Sequence, residues 1–374
     1  FKAANDYQKI KKEINIEKSE KQIQPKKILK YLYSNKLRLE EIKDLLKTEQ
    51  KKNEKAKYNI IGLTLETRPD YLDDKELWQM RELGCTRVEI GVQAVDDKIL
   101  KLNKRGHDVK TIAEATKKLK QFGFKVTYHF MPALPGSNPK KDIKMFKELY
   151  SDERFQPDQI KFYPTTVVKD SLLYNWWKEG KYKPYTDKEL EQVIIESKKA
   201  VPIYTRIIRL IRDIPGESIE AGNKITNLRQ VMKDKGVVCN CIRCREAKNK
   251  IIDKNDLKLN ILKYKSSGGD EYFISFDSKD KKFLYGFCRL RIDENSNIIP
   301  AIIRELHVYG QLVPMGNDKK IQHSGLGKRL VAEAEKIAKK NKAKELAIIS
   351  GVGVRGYYRK LGYKLKDTYM IKKI

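Results

Sequence analysis

The apolar positions of the chain change rhythm twice. Between residues 58 and 215, runs rich in β-branched and aromatic residues recur as YNIIGLTLE (58–66), TRVEIGVQ (86–93), FKVTYHFM (124–131), DQIKFYP (158–164) and YTRIIRLIRDIP (204–215). Between the first four lie single stretches with apolar residues three and four apart, such as KELWQMRELG and VKTIAEATKKLKQFG. The last interval has room for two helices. This alternation predicts βα units and a parallel sheet or barrel. From about residue 268 the runs DEYFISFD, FLYGFCRLRID and IIPAIIRELHVYG follow one another across turns, as in an antiparallel meander. A helix over 324–340, the strand ELAIISG, a short helix around RGYYRKLG and two final strands complete a separate α+β domain. The expected organisation is a basic helical and linker region (1–57), a partial α/β barrel (58–236), a cysteine-bearing linker (237–265) and the α+β domain (266–374).

Working residues of α/β sheets gather at the carboxyl ends of the strands. Those ends carry Glu66, Arg68 and Asp70, then Glu89 and Gln93, His129 and Met131, Lys161 and Tyr163, and Arg209 and Arg212. Polar side chains on strands expected to be covered on both faces require partners or a ligand. A cavity lined for a ligand explains their recurrence at one end. A buried Lys161–Glu89 ion pair is the alternative for that pair.

Length and charge narrow the class. The 374 residues allow two or three domains. With 80 Lys+Arg against 50 Asp+Glu, the formal net charge is +30, which points to a polyanionic partner such as nucleic acid. A lysine-rich composition suited to hot growth is the alternative reading. No run of about 18 apolar residues exists to span a bilayer. The charged opening FKAANDYQKIKKEINIEKSEKQ is no signal peptide, and the first residue, Phe1, suggests a chain lacking its beginning. Five cysteines form no secreted disulfide framework, so a cytosolic (cytoplasmic) location is expected.

Three of those cysteines, Cys239, Cys241 and Cys244, fall in CNCIRC. Thiolates this close suit tetrahedral Zn²⁺ with a fourth ligand from elsewhere; an iron–sulfur cluster with one open coordination is the competitor. In QHSGLGKRLVAEAE (322–335), two glycines precede an amphipathic helix. Ser324 would suit a plain N-cap, but glycines at a helix start also let backbone N–H groups meet an anion.

The strings IIRELHVYG, QHSGLGKRL and GVGVRGYYRKLGY resemble the acetyltransferase half of the Elongator protein 3 family. GLTLETRPDY, GCTRVEIGVQ, NKRGH, HFMPALPG and KFYPTTVV resemble its radical-SAM half, in the same order. The likeness runs from about residue 58 to the C-terminus. It implies a partial radical-SAM barrel followed by a GNAT acetyltransferase domain, with a small zinc-binding linker between them. The implied activity is carboxymethylation at C5 of the tRNA wobble uridine, U34. Acetyl-CoA would supply the carbons, and S-adenosylmethionine on a [4Fe–4S] cluster would supply the radical. Its partners would be tRNA, through the anticodon stem-loop, and acetyl-CoA, with or without further Elongator-like subunits and without a membrane.

Roles follow residue by residue. Gln322, Gly325, Leu326 and Gly327 would hold the pyrophosphate of acetyl-CoA. Glu305, Leu306, His307 and Val308 would lie along its pantetheine arm, where His307 reads equally as a core histidine. Tyr357 and Tyr358 would serve the thioester, Tyr357 being the nearer, with a phenol donating to the leaving thiolate. In the barrel, Lys161 is the catalytic candidate, with Glu89, Gln93 and His129 beside the bound cofactor. Arg105–His107 and KFYP would grip RNA, and Arg206, Arg209 and Arg212 would track phosphates. By position, Cys239, Cys241 and Cys244 match the family's zinc site. One departure bears on the chemistry: the family's upstream three-cysteine cluster motif and the first two barrel strands are expected to be absent here, which puts the radical step in doubt. A protein lysine acetyltransferase and a tRNA-binding fragment without radical activity are the rival readings.

Overall fold

In a parallel sheet, side chains alternate between the two faces, and here the alternation divides apolar from polar. The computed structural model describes residues 39–211, 214–225, 227–247, 256–309 and 325–374; Arg212 and Gln322 lie outside them. Strands β1 (Leu63–Thr67), β2 (Cys85–Gln93), β3 (Lys125–Phe130), β4 (Gln159–Phe162) and β6 (Arg206–Arg209) form an open parallel sheet in the order β1-β2-β3-β4-β6. Val88, Ile90, Val126, Tyr128, Phe130, Ile160 and Phe162 are fully buried on one face, beneath the crossover helices. These are α2 (Asp74–Glu82), α3 (Asp97–Leu102), α4 (Val109–Gln121), α5 (Pro139–Ser151) and α7 (Asp187–Ala200). Asp73, Asp96, Asp108, Asn138 and Thr186 cap their first turns through the side chain. The interleaved residues Thr64, Glu66, Arg87, Glu89, Lys125, Thr127, His129, Gln159 and Lys161 occupy the other face. Register places Glu66, Glu89, Thr127 and Gln159 in one row, and His129 beside Lys161 one step further on.

The second lobe is a seven-stranded sheet ordered β13-β14-β12-β11-β10-β9-β8. Strands β9 (Gly269–Ser278), β10 (Leu284–Ile292) and β11 (Ala301–Val308) form the expected meander, with β12 (Glu345–Ile348), β13 (Lys364–Lys366) and β14 (Tyr369–Lys373) beyond it. Helix α10 (Leu326–Lys340) packs Leu330, Val331, Ala334 and Ala338 onto the sheet, and α11 (Arg355–Arg359) carries the tyrosine pair. The expected linker 237–265 ends early, because β8 (Leu257–Ser266) pairs with β9 along its whole length and belongs to this sheet. Ahead of the first sheet stands α1 (Leu39–Asn53). No helix among the described residues is long and apolar enough to cross a membrane.

A buried ionic joint holds the lobes together. Asp158, just before β4, receives both terminal nitrogens of Arg304 from β11, at 2.6 and 2.8 Å. Arg304 also donates to Glu271 (2.9 Å) and to the Phe124 carbonyl (2.8 Å), while Arg289 donates to the Tyr204 carbonyl. Lys120 reaches across to Ser266 Oγ at 2.6 Å. Burial alone would raise the Asp158 carboxyl, but Arg304, Arg289 and Lys120 hold it far below the carboxylate range.

Candidate functional site: a cavity shared by the two lobes

The amino end of the polar sheet face opens into a cavity of about 1090 Å³ whose other wall is the second lobe. Arg87, Lys125 and Gln159 line it from the first lobe; His307, Gly325 and Tyr357 line it from the second.

On the second-lobe side, β11 and β12 pair in parallel only at Ile302–Ala347 and Ile303–Ile348, then diverge. The notch between them leaves the backbone of Leu306, His307 and Val308 along one side, where an extended amide-bearing chain would add as a strand. The Glu305 carboxylate is already engaged, by Arg289 Nε at 2.9 Å and Lys125 at 3.7 Å. Although burial opposes it, these cations hold that carboxyl low. His307 stands in the cavity between Phe287 and Tyr309, whose ring centroids lie 6.0 and 4.4 Å away. Desolvation there lowers its pKa despite Glu305.

Helix α10 starts from Gly325 at φ +75°, a left-handed conformation that disfavours other residues, and among the described residues nothing stands where a Cβ would be. The Leu326 side chain is buried, so only its backbone N–H is left to meet an anion. At Gly327 a Cβ would lie 2.7 Å from Tyr357 Oη: the glycine seats the phenol at the helix head. Both tyrosines line the cavity, but Tyr357 is 36 % exposed whereas Tyr358 is 6 % exposed and packs mainly in the core. Burial, then Cys288, raises the Tyr357 pKa, which keeps its proton in place at neutral pH.

A strap from the first lobe fixes α11. Glu54 accepts from Arg359 and from Arg355 (3.4 Å). The Asn53 side chain holds the Ile60 N–H at 2.8 Å, and the Ile60 carbonyl accepts from Gly353 N at 2.8 Å. A Cβ on Gly351 would meet the Ile61 carbonyl at 2.1 Å, so only glycine admits the strap there.

At the carboxyl end, Lys161 and His129 converge on Glu89: both contact Oε2, the imidazole through Nε2 at 2.8 Å. His129 Nδ1 stands 3.4 Å from Glu66, and the Tyr163 ring lies 5.3 Å from the imidazole. Burial would raise the Glu89 carboxyl, but the hydrogen bonds and charges of His129 and Lys161 bring it down to about 2. Glu66, Glu89 and His129 have ligand atoms within 4.8 Å of one another, but the Lys161 ammonium already answers the charge of Glu89. Gln93 ends β2 at φ +67°, with its Oε1 buried and unpartnered among the described residues, a strained position of the kind found at binding sites. Arg87 joins the two ends, 3.7 Å from Glu89 and donating to Gln159 Oε1 at 3.1 Å and Thr64 Oγ1 at 2.9 Å.

Other expected contacts are placed differently. The His107 side chain is fully buried 3.8 Å from Asp70, so it presents nothing to a phosphate. Arg206 is tied to Glu246 (2.8 Å) and Tyr309 Oη (3.0 Å) in the cavity wall instead of standing in an outer track. Sequence reading passed over Arg87, Lys125 and Gln159, although Arg87 and Gln159 lie two residues before Glu89 and Lys161, and Lys125 four before His129, each on the same strand face.

Cys239, Cys241 and Cys244 bring their sulfurs within 4.8 Å of one another. They lie beside the start of β6, where Ile242 N donates to the Thr205 carbonyl at 3.0 Å. Hydrogen bonding from the Cys239 thiol, then that of Cys244, pulls Cys241 down, while the same contacts push Cys239 up.

Three family models match in series: the Radical SAM superfamily over residues 6–149, the Radical_SAM C-terminal domain over 157–235, and the Acetyltransferase (GNAT) family over 245–363. A tRNA uridine(34) acetyltransferase of Dehalococcoides mccartyi is 44% identical, over 86% of this chain and 73% of its own. Its namesake in Methanocaldococcus infernus is 43% identical over 88% and 65%, and the human Elongator complex protein 3 is 39% identical over 86% and 62%. The chain thus spans just under two thirds of the last two. A solved structure of the M. infernus Elp3 with an N-terminal deletion superposes with a TM-score of 0.82 at 43% identity, over 88% of this chain and 82% of that one.

Proposed function

Since the chain belongs to the family of the tRNA uridine(34) acetyltransferases and Elongator complex protein 3, we propose that it brings acetyl-CoA and a tRNA anticodon loop to the shared cavity, in the service of C5 carboxymethylation of U34. The observation that carries this reading is the cavity itself, walled by the polar face of the barrel sheet on one side and by the acyltransferase notch on the other.

The chain's own residues supply the thioester step. The open start of α10 at Gly325 and Gly327 takes the pyrophosphate, and β11 pairs with the pantetheine amides along Leu306–Val308. When water attacks the thioester carbonyl, the C–S bond breaks, and Tyr357 donates its proton to the departing thiolate and recovers one from solvent. His307, standing in the same cavity, accepts the proton of the attacking water.

A radical-SAM fold implies S-adenosylmethionine on a [4Fe–4S] cluster. The cysteines of these residues do not fit that cluster. Cys85 and Cys288 are buried singly, and the triplet flanks the start of β6 instead of the carboxyl ends of the strands. The triplet does fit Zn²⁺, which Cys239, Cys241 and Cys244 would hold as a structural brace between the lobes.

Acetyl-CoA turnover measured with and without tRNA tests the proposal. The expected outcome is turnover raised by tRNA, tRNA affinity falling steeply with salt, and Tyr357→Phe slowing turnover about 10²-fold with little change in KM. Tyr358→Phe should leave turnover near wild type. Equal turnover with and without tRNA, or a fully active Tyr357→Phe enzyme, would overturn it.

A further inference from the structure

Helix α6 (Leu172–Lys178, LLYNWWK) has no part in the site above, and none of its seven residues is buried. The whole chain has three tryptophans, and two of them, Trp176 and Trp177, are here. Leu172, Leu173, Tyr174, Trp176 and Trp177 belong to none of the hydrophobic clusters of the described residues. The helix is nevertheless firmly mounted. Ser171 caps it and ties back to the Val168 carbonyl at 2.6 Å. Beyond it, the N–H groups of Lys181 and Tyr182 return to the Trp176 carbonyl, and Tyr182 Oη donates to the Ala133 carbonyl at 2.8 Å. The chain reaches α6 from the carboxyl end of β4, through Tyr163 and the short strand β5 (Val167–Val168). The helix therefore stands at the carboxyl end of the sheet, with Lys161 and His129, while the cavity lies at the other end of the same polar face.

Charge identifies the occupant. The Lys178 ammonium sits 4.7 Å from the Trp177 ring centroid and 5.4 Å from that of Tyr174, and around the helix Lys169, Lys181 and Lys183 outnumber Asp170 and Glu179, the last paired with Lys181 at 2.7 Å. Flat rings interleaved with ammonium groups match unpaired bases joined by phosphates, because every base offers a π-face and every linkage a negative charge. We propose that α6 is a stacking platform for unpaired bases of a single-stranded RNA loop, with Trp177 and Trp176 holding bases and Lys178 the adjoining phosphate. This rests on the reading that tRNA is the substrate.

Tryptophan fluorescence of the whole chain, titrated with an anticodon stem-loop RNA and with a plain RNA duplex, tests it. Trp78, packed edge-on against Phe122 and Tyr369, is the internal reference. The stem-loop should quench more than the duplex, and Trp177→Phe should remove most of the quench while keeping binding. Trp177→Ala should weaken stem-loop affinity on the order of tenfold at an unchanged salt slope, and Lys178→Ala should shallow that slope. A wild-type protein that binds neither RNA would refute the tRNA reading and the platform with it. Stem-loop binding and quench unaltered in both Trp177→Phe and Trp177→Ala would overturn the platform alone. So would a tryptophan variant that bound RNA normally but lost self-association in sedimentation, since the face would then be a contact between copies.

Discussion

The two ends of the first sheet use the same alternation differently. At the carboxyl end the charges are satisfied from within: Lys161 and His129 share Glu89, and Glu66 closes the far side of the imidazole. At the amino end, one step along each strand, Arg87 and Lys125 face a cavity whose opposite wall belongs to another domain. A self-neutralised cluster holds its shape without a ligand, whereas half-answered cations around a large space await an anion or a polar chain. Arg87 touches both regions, so a change at one end alters the field at the other.

The largest effect comes from the joint that makes the second wall. Asp158→Asn leaves the buried Arg304 with Glu271 alone, and the buried Arg289 with Glu305 alone, to answer its charge. Removing one member of such a group costs about 3–5 kcal/mol. Urea unfolding followed by tryptophan emission should show that loss, with acetyl-CoA affinity falling as the cavity opens. A variant as stable as wild type would mean that the lobes are held by their apolar contacts alone. Lys120 belongs to the same joint: burial, against the pull of Asp158 and Glu271, brings its ammonium down to about 7.

Next is the carboxyl end. The Glu89 carboxyl is depressed from its ordinary value to about 2. Its contribution is therefore complete above about pH 4.5 and is lost as pH falls toward 2, on the order of 3 kcal/mol. Glu89→Gln should flatten the stability curve in that window and lower stability at pH 7. An unchanged acid limb would show that Lys161 and His129 do not depend on Glu89.

These contrasts were unequally legible in the sequence. The polar rows could be read from strand alternation, which is why Glu89, His129 and Lys161 stood out. The same rule reaches Arg87 and Gln159 two residues earlier and Lys125 four residues before His129; the expectation that function sits at carboxyl ends concealed them. Strand β8 escaped because most of its residues are exposed and several are lysines, the composition that protects a sheet edge from pairing. Arg289, Arg291 and Arg304 alternate with apolar residues like any solvent-facing set, yet all three are almost wholly buried. Burial by a second domain leaves no periodic trace in a strand. Gly327 was legible as an anion-site glycine, but its contact with Tyr357 joins residues 30 apart and needed the fold.

The smallest effect would sharpen the comparison most, because it asks whether the first lobe positions the chemistry of the second. Helix α11 is only five residues long, and Tyr358 anchors one side of it in the core. The other side is held by Glu54, whose carboxyl Arg359 and Arg355 keep low although burial opposes them. Glu54→Gln keeps the shape but loses the charge, a change worth about 1 kcal/mol, or roughly fivefold. It should lower kcat for acetyl-CoA turnover by that factor with KM nearly constant, since the pyrophosphate and pantetheine contacts lie on α10 and β11. If Glu54 acts by aiming the Tyr357 phenol, the substitution has nothing left to misplace in a Tyr357→Phe background, and the double variant should be no slower than Tyr357→Phe alone. Additive losses would instead assign Glu54 a purely structural part, and the strap would then brace the lobe without tuning the proton donor.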